Sequence, residues 1–121
     1  MTTILQRVGD AALGTTFIVL GYQAAVEPGG RVVAAAQVGL PRPELAVRFN
    51  GAAMALGGAA VALGVRQRPA ALGLVAALLP TTIAGHPFWK QPDPQARANH
   101  RIQVLKNLGL IGGLLGVAAR R

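Results

Sequence analysis

Residues 45–65 read LAVRFNGAAMALGGAAVALGV, and after RQRP (66–69) residues 70–85 read AALGLVAALLPTTIAG. One cation, Arg48, interrupts the first run, and the second holds no charge at all. A bilayer core takes roughly 20 apolar residues in helical form, so the two runs predict a transmembrane hairpin. The connection Arg66-Gln67-Arg68-Pro69 is too short for anything but antiparallel neighbours, and Pro69 suits the first turn of a helix. Pro80 sits inside the second run. It frees a backbone carbonyl that Thr81, Thr82 or a neighbouring helix is expected to satisfy.

Two more runs flank this hairpin. One extends over about residues 5–26, punctuated by Gly9, Gly14 and Gly21 and ended by Glu27-Pro28-Gly29-Gly30. The other covers about residues 95–119, polar in its first turns and apolar afterwards. With spans near 5–26, 45–65, 70–85 and 95–119, the expected fold is all-α: one integral membrane domain, residues 1–121, built as a four-helix bundle. Val32 to Leu40 is apolar but too short to cross, and is expected to lie at the interface or re-enter between spans one and two. Asp10 and the three later runs argue for a retained first span rather than a signal peptide.

Composition agrees. Hydrophobic residues make up 52% of the 121 residues and charged ones 13%, against about 25% in soluble domains; mean hydropathy is +0.44. The net charge of +8 lies between the apolar runs rather than along an aromatic-interleaved stripe. It therefore reads as topology signal and anionic-lipid contact, not as nucleic-acid binding. The chain has no cysteine, which excludes thiol redox chemistry and thiolate-held iron–sulfur clusters.

Four spans put Arg7, Arg66, Arg68, Arg120 and Arg121 on one side. Arg31, Arg42, Arg48, Lys90, Arg97, Arg101 and Lys106 fall on the other. The raw count opposes a cytoplasmic N-terminus. Arg48, Arg97, Arg101 and Lys106 lie within helices, however, and setting them aside reverses the balance. The expected protein is a multi-pass plasma-membrane protein with both termini cytoplasmic.

The fourth run carries the candidate chemistry. His100, Gln103 and Asn107 fall within about 60° on a helix, with Arg97, Arg101 and Lys106 nearby. Such a stripe is either a satisfied interhelical network or a ligand, proton or quinone site. Arg48 and Asn50 of span two are its expected partners across the bundle, and Asp10 is expected to pair with Arg7 or Arg48. Gly109, Gly112, Gly113 and Gly116 lie opposite the stripe as overlapping small-xxx-small pairs. Together with Gly57 and Gly58 they are read as helix-packing positions, within the chain or in a homo-oligomer. Phe88-Trp89 reads as an interfacial anchor or as a lid over a ligand. His86 and His100, fourteen residues apart, match no metal-ligand spacing, and no metal is expected.

Pro80-Thr81-Thr82, Gly85-His86-x-Phe88-Trp89, Asp93-Pro94, Arg97 and Leu105-Lys106-Asn107-Leu108 with Gly112-Gly113 resemble the C-terminal half of DoxX-family membrane proteins. Arg7, Gly39-Leu40-Pro41, Gly57-Gly58 and Gly64 with Arg68-Pro69-Ala70-Ala71 resemble the N-terminal half, and the Ala- and Arg-rich composition resembles an actinobacterial member. The resemblance implies a four-helix membrane protein linked with quinone-reactive oxidoreductases, including small subunits acting in thiosulfate oxidation, and with redox-stress complexes. The chain departs from the pattern in having Gly21-Tyr22-Gln23 where many members carry a Lys, and Arg48 and Asn50 where many carry a Glu. The leading expectation is an accessory or scaffold subunit of a membrane redox assembly, contacting lipid and other membrane or redox proteins. It has no cofactor of its own, and it binds partners, with a quinone as a further candidate ligand, through the polar half of the fourth helix. The candidate ligand- or partner-binding residues are Arg48, Asn50, His86, Trp89, Arg97, His100, Arg101, Gln103, Lys106 and Asn107. The alternatives are a quinone-reactive oxidoreductase acting on a small sulfur compound, with an arginine holding the anion and His100 carrying the proton, and a chaperone-like or transport protein.

Overall fold

The computed structural model describes residues 2–120 and is all-helical, with no strand among them. Helices α1 (Ile4–Val26), α2 (Gly30–Gln37), α3 (Pro43–Leu63), α4 (Gln67–Gly85) and α5 (Pro94–Ala118) follow one another, with a single 3-10 turn, Phe88–Lys90, before α5. The expected re-entrant stretch is thus a real helix, α2, packed on α3 and α4. The connection between α3 and α4 is tighter than the sequence suggests, because Gln67, Arg68 and Pro69 already belong to α4.

Local chemistry sets these boundaries. Thr3 opens α1 with a capping box: its hydroxyl accepts from the Gln6 N–H at 3.1 Å and its own N–H donates to Gln6 Oε1 at 2.8 Å, two of the orphan donors of a helix start. Pro43 and Pro94 occupy the first turns of α3 and α5, and Asp93 Oδ2 accepts from the Ala96 N–H at 3.2 Å. Gly64 ends α3 at φ 75°, a left-handed conformation that glycine adopts without steric cost.

The tightest joint is α1 against α3. A Cβ built on Gly58 would stand 2.6 Å from the Gly14 carbonyl, and one on Gly51 2.6 Å from the Gly21 carbonyl; the reciprocal positions clash still harder. Gly14 and Gly21 are two turns apart, as are Gly51 and Gly58, so two antiparallel glycine contacts bring the backbones together. A Cβ on Gly57, one residue along, would stand 3.0 Å from the Leu74 side chain of α4. A core of Phe17, Met54, Val61, Leu74, Leu78, Leu114 and Val117 fills the remaining space.

The outside of the molecule is apolar. Leu5 is 84% exposed and Leu56 74%, and Phe49, Ile83, Leu105 and Leu108 also face outward. Contiguous exposed apolar surface of this kind is the signature of a lipid-facing protein rather than of a monomer in water. Two segments, Pro43–Leu63 and Gln67–Lys90, are long and apolar enough to cross a bilayer.

The α5 glycines behave differently from those of α1 and α3. A Cβ at Gly109, Gly112 or Gly116 meets nothing within 4 Å, and one at Gly113 meets only Leu13 at 3.8 Å. Their expected close packing is therefore not made within the chain, because α5 leans on α4 with its other side and touches α1 only near its end.

Candidate functional site

Polar side chains gather in three places. The first joins α3, α4 and α5. Asn50 Nδ2 donates to Thr81 Oγ1 at 3.0 Å, and Asn107 Nδ2 donates to Thr82 Oγ1 at 2.9 Å. The threonine hydroxyls donate in turn to the carbonyls of Ala77 (2.9 Å) and Leu78 (2.7 Å). Two adjacent threonines just after Pro80 are thus gripped by asparagines from the helices on either side. The carbonyl left without a helical donor by Pro80 is that of Ala76, four residues back. The threonines serve its two neighbours instead.

The second lies where α4 ends and α5 begins. His86 Nδ1 and His100 Nδ1 stand 3.2 Å apart, with ring centroids 5.4 Å apart and planes tilted by 48°. A hydrogen bond at that separation needs a proton on one of the two nitrogens, and the ring tautomers decide which one donates. Phe88 and Trp89 meet edge to face with centroids 5.2 Å apart, and Trp89 is exposed. Arg97 donates to the Gln91 carbonyl at 3.1 and 3.2 Å and holds the connecting loop. Arg101, Gln103 and Lys106 make no side-chain hydrogen bond among the described residues, and Arg101 and Lys106 are exposed.

Arg48 departs from expectation. It does not face α5. Its guanidinium donates to the Ala25 carbonyl at 2.7 Å and to Glu44 Oε1 at 3.1 and 3.2 Å, capping the end of α1 with a cation, where the helix dipole favours one. Asn50 is likewise committed to α4 rather than to the α5 stripe.

The third cluster lies at the opposite end, and its key pair escapes the sequence. Asp10, 3% exposed, pairs with neither Arg7 nor Arg48 but with Arg120, whose guanidinium donates to Asp10 Oδ1 at 2.7 Å and Oδ2 at 2.8 Å. Gln67 Nε2 adds a bond to Asp10 Oδ2 at 2.8 Å and another to the Val61 carbonyl at 2.9 Å. Arg68 donates to the carbonyls of Ala118 (2.9 Å) and Arg120 (2.8 Å). The Asp10 hydrogen bond holds the Arg120 guanidinium above its ordinary range. The signal available in the sequence was the lone carboxylate in the first apolar run together with the even number of long helical runs, which returns Arg120 to the end where Asp10 lies. Beside this clasp is a cavity of about 140 Å³ lined by Thr2, Arg7, Asp10, Ala62, Leu63, Gly64 and Gln67.

Among the described residues no group of three or more His, Asp or Glu side chains is placed to hold a metal. These features define a helical membrane protein with polar clusters at both ends. The family model for DoxX matches residues 8–87, and the chain belongs to the DoxX family. The match covers α1 to α4 and stops short of the 3-10 turn, so Trp89, His100 and Asn107 lie beyond it. Neither a curated protein nor a solved structure matches the chain.

Proposed function

We propose that this protein is a four-span plasma-membrane scaffold subunit of a quinone-linked redox assembly, with the His86–His100 end as its quinone-facing site. α1, α3, α4 and α5 cross the bilayer, α2 lies at the interface, and both chain ends are cytoplasmic. The 23 residues of α1 and 25 of α5 give lengths of about 35 Å, enough for a core of about 30 Å. The charged residues of α1 lie in its first two turns, at one bilayer edge. Those of α5 run from Arg97 to Lys106, the thirteenth of its 25 residues, so the long Lys106 side chain reaches back toward the other edge, where exposed Trp89 would anchor.

The observation that carries the quinone reading is the 3.2 Å approach of two imidazole nitrogens at that edge. Reduction of a quinone to a quinol takes two electrons and two protons. The electrons come from a redox partner protein. His86 and His100 hold and pass a proton toward a quinone oxygen, and exposed Lys106 and Arg101 would stabilise the negative charge that develops before protonation. The asparagine–threonine network one to two turns away fixes α5 against α4 and thereby holds the two rings together.

Mild-detergent extraction of the protein from its native membrane, followed by chromatography of bound quinone and mass analysis of bound proteins, tests this. The expected result is co-purifying quinone with a redox partner, and a loss of at least tenfold in quinone for a folded His100→Ala variant. Purification with neither quinone nor a redox partner overturns the reading.

A further inference from the structure

The four acidic residues are distributed unevenly. Glu27, Glu44 and Asp93 all lie at the His86–His100 end, where Glu44 neutralises Arg48. At the other end Arg7, Arg66, Arg68 and Arg120 face one acid, Asp10. Both oxygens of Asp10 are already taken by Arg120 and Gln67. Arg68 is fixed by two backbone carbonyls, which orient it without cancelling its charge. Arg7 and Arg66 are exposed and make no side-chain hydrogen bond or ion pair among the described residues.

Two of these charges lie at a cavity, which Asp10, already paired with Arg120, also lines. Arg7 lines it directly, and Arg66 sits in the turn between Gly64 and Gln67, both of which line it. Its volume of about 140 Å³ is roughly ten times the ~10–15 Å³ that one water needs, so a phosphate group fits. The surface next to it is apolar: Leu63, also a lining residue, is 76% exposed, and Leu5 and Val8, on either side of Arg7, are 84% and 61% exposed. A site with one free arginine in its wall, a second in the adjoining turn and an apolar exit suits a ligand with an anionic head and a hydrocarbon tail.

We propose that this cavity binds the phosphate of an anionic phospholipid, held by Arg7 and Arg66, with the acyl chains lying along Leu5, Val8 and Leu63. The site is independent of the quinone reading. It lies at the other end of the bundle and needs only that the chain sits in a membrane.

The test uses the full chain in detergent micelles, with lipid retention read by native mass spectrometry against phosphatidylglycerol and phosphatidylcholine. The variant Arg7→Gln/Arg66→Gly is compared with Arg31→Gln/Arg42→Gly, which removes the same charge at the opposite end. Arg66 and Arg42 both sit at positive φ, 46° and 48°, where glycine is the easier residue, so both variants keep the fold. Arg7→Gln alone is a further check, since Arg7 is exposed and unbonded. The wild type should retain phosphatidylglycerol over phosphatidylcholine. That preference should fall by roughly fivefold for each site arginine removed, and it should persist in the opposite-end variant. Equal retention of both lipids by the wild type, or equal losses in both double variants, overturns the proposal. Displacement of the lipid by millimolar inorganic phosphate overturns the lipid assignment and points to a free anion.

Discussion

Asp10 and Arg120, 110 positions apart in sequence, meet through two hydrogen bonds of 2.7 and 2.8 Å. The pair ties the first helix to the end of the last and closes the ring of helices that α1–α3, α3–α4 and α4–α5 packing begins. Removing one partner of a pair this buried strands a charge and costs about 3 kcal/mol. Arg120→Leu and Asp10→Leu should each lower the thermal transition in detergent by several degrees. The double variant should recover part of the loss, because neither charge is then left alone. Additive losses in the double variant would show that the pair is not coupled.

The two glycine contacts between α1 and α3 predict a contrast. Gly14→Ala or Gly51→Ala forces a methyl onto a backbone carbonyl of the opposite helix. Each should destabilise the protein by about 1–3 kcal/mol. Gly112→Ala and Gly116→Ala meet open space and should leave monomer stability unchanged or raise it by up to ~1 kcal/mol, the helix preference of alanine over glycine. Thermal denaturation of the four variants checks this. A drop in oligomer mass for Gly112→Ala or Gly116→Ala alone would identify the open glycine face as a contact between copies.

Asn50 and Asn107 both brace α4, Asn50 with a second, longer bond to the Ala77 carbonyl at 3.4 Å. Each donates one bond to a threonine of α4, at 3.0 and 2.9 Å, and hydrogen bonds between membrane helices contribute about 0.6–2 kcal/mol. Asn107→Leu should therefore cost about 1 kcal/mol of stability. Its effect should disappear when Thr82 is already Val, which a double-mutant cycle measures.

Burial holds His86, at the end of α4, below the ordinary histidine range, and the neighbouring His100 and Lys106 add to the effect. His86 should therefore stay neutral to a lower pH than a free histidine, and the difference should shrink in Lys106→Gln. Nitrogen-15 NMR of labelled histidine checks this. Protonation of His86 at the ordinary histidine pH would contradict it.

Much of the helical layout was legible. The runs over 45–65 and 70–85 announce α3 and α4 because membrane solvation demands continuous apolar helices, and Gly58 announces close packing because a backbone contact leaves no room for a Cβ. Pairings across the bundle were not legible. Arg48 lies three residues into its span and reads as a bundle-interior charge, yet it turns to the free carbonyls at the end of α1, a choice set by helix rotation. Gly112 and Gly116 have the same spacing as packing glycines elsewhere but face outward, and spacing alone cannot say which side of a helix meets a neighbour. Asn107 was visible as a polar residue in a span, whereas its partner Thr82 became identifiable only once α4 and α5 were seen side by side.

The four-span arrangement can be tested most directly by single-cysteine labelling, because the chain has no cysteine of its own. Thr2→Cys places one thiol at the N-terminal end, and Gly30→Cys, Arg66→Cys and Gln91→Cys place one in each connection between the four long helices. In intact cells treated with a membrane-impermeant maleimide, Gly30→Cys and Gln91→Cys should label, and Thr2→Cys and Arg66→Cys should label only after permeabilisation. Labelling of Thr2→Cys and Arg66→Cys from opposite faces, or of Gln91→Cys from the same face as Thr2→Cys, would contradict the account.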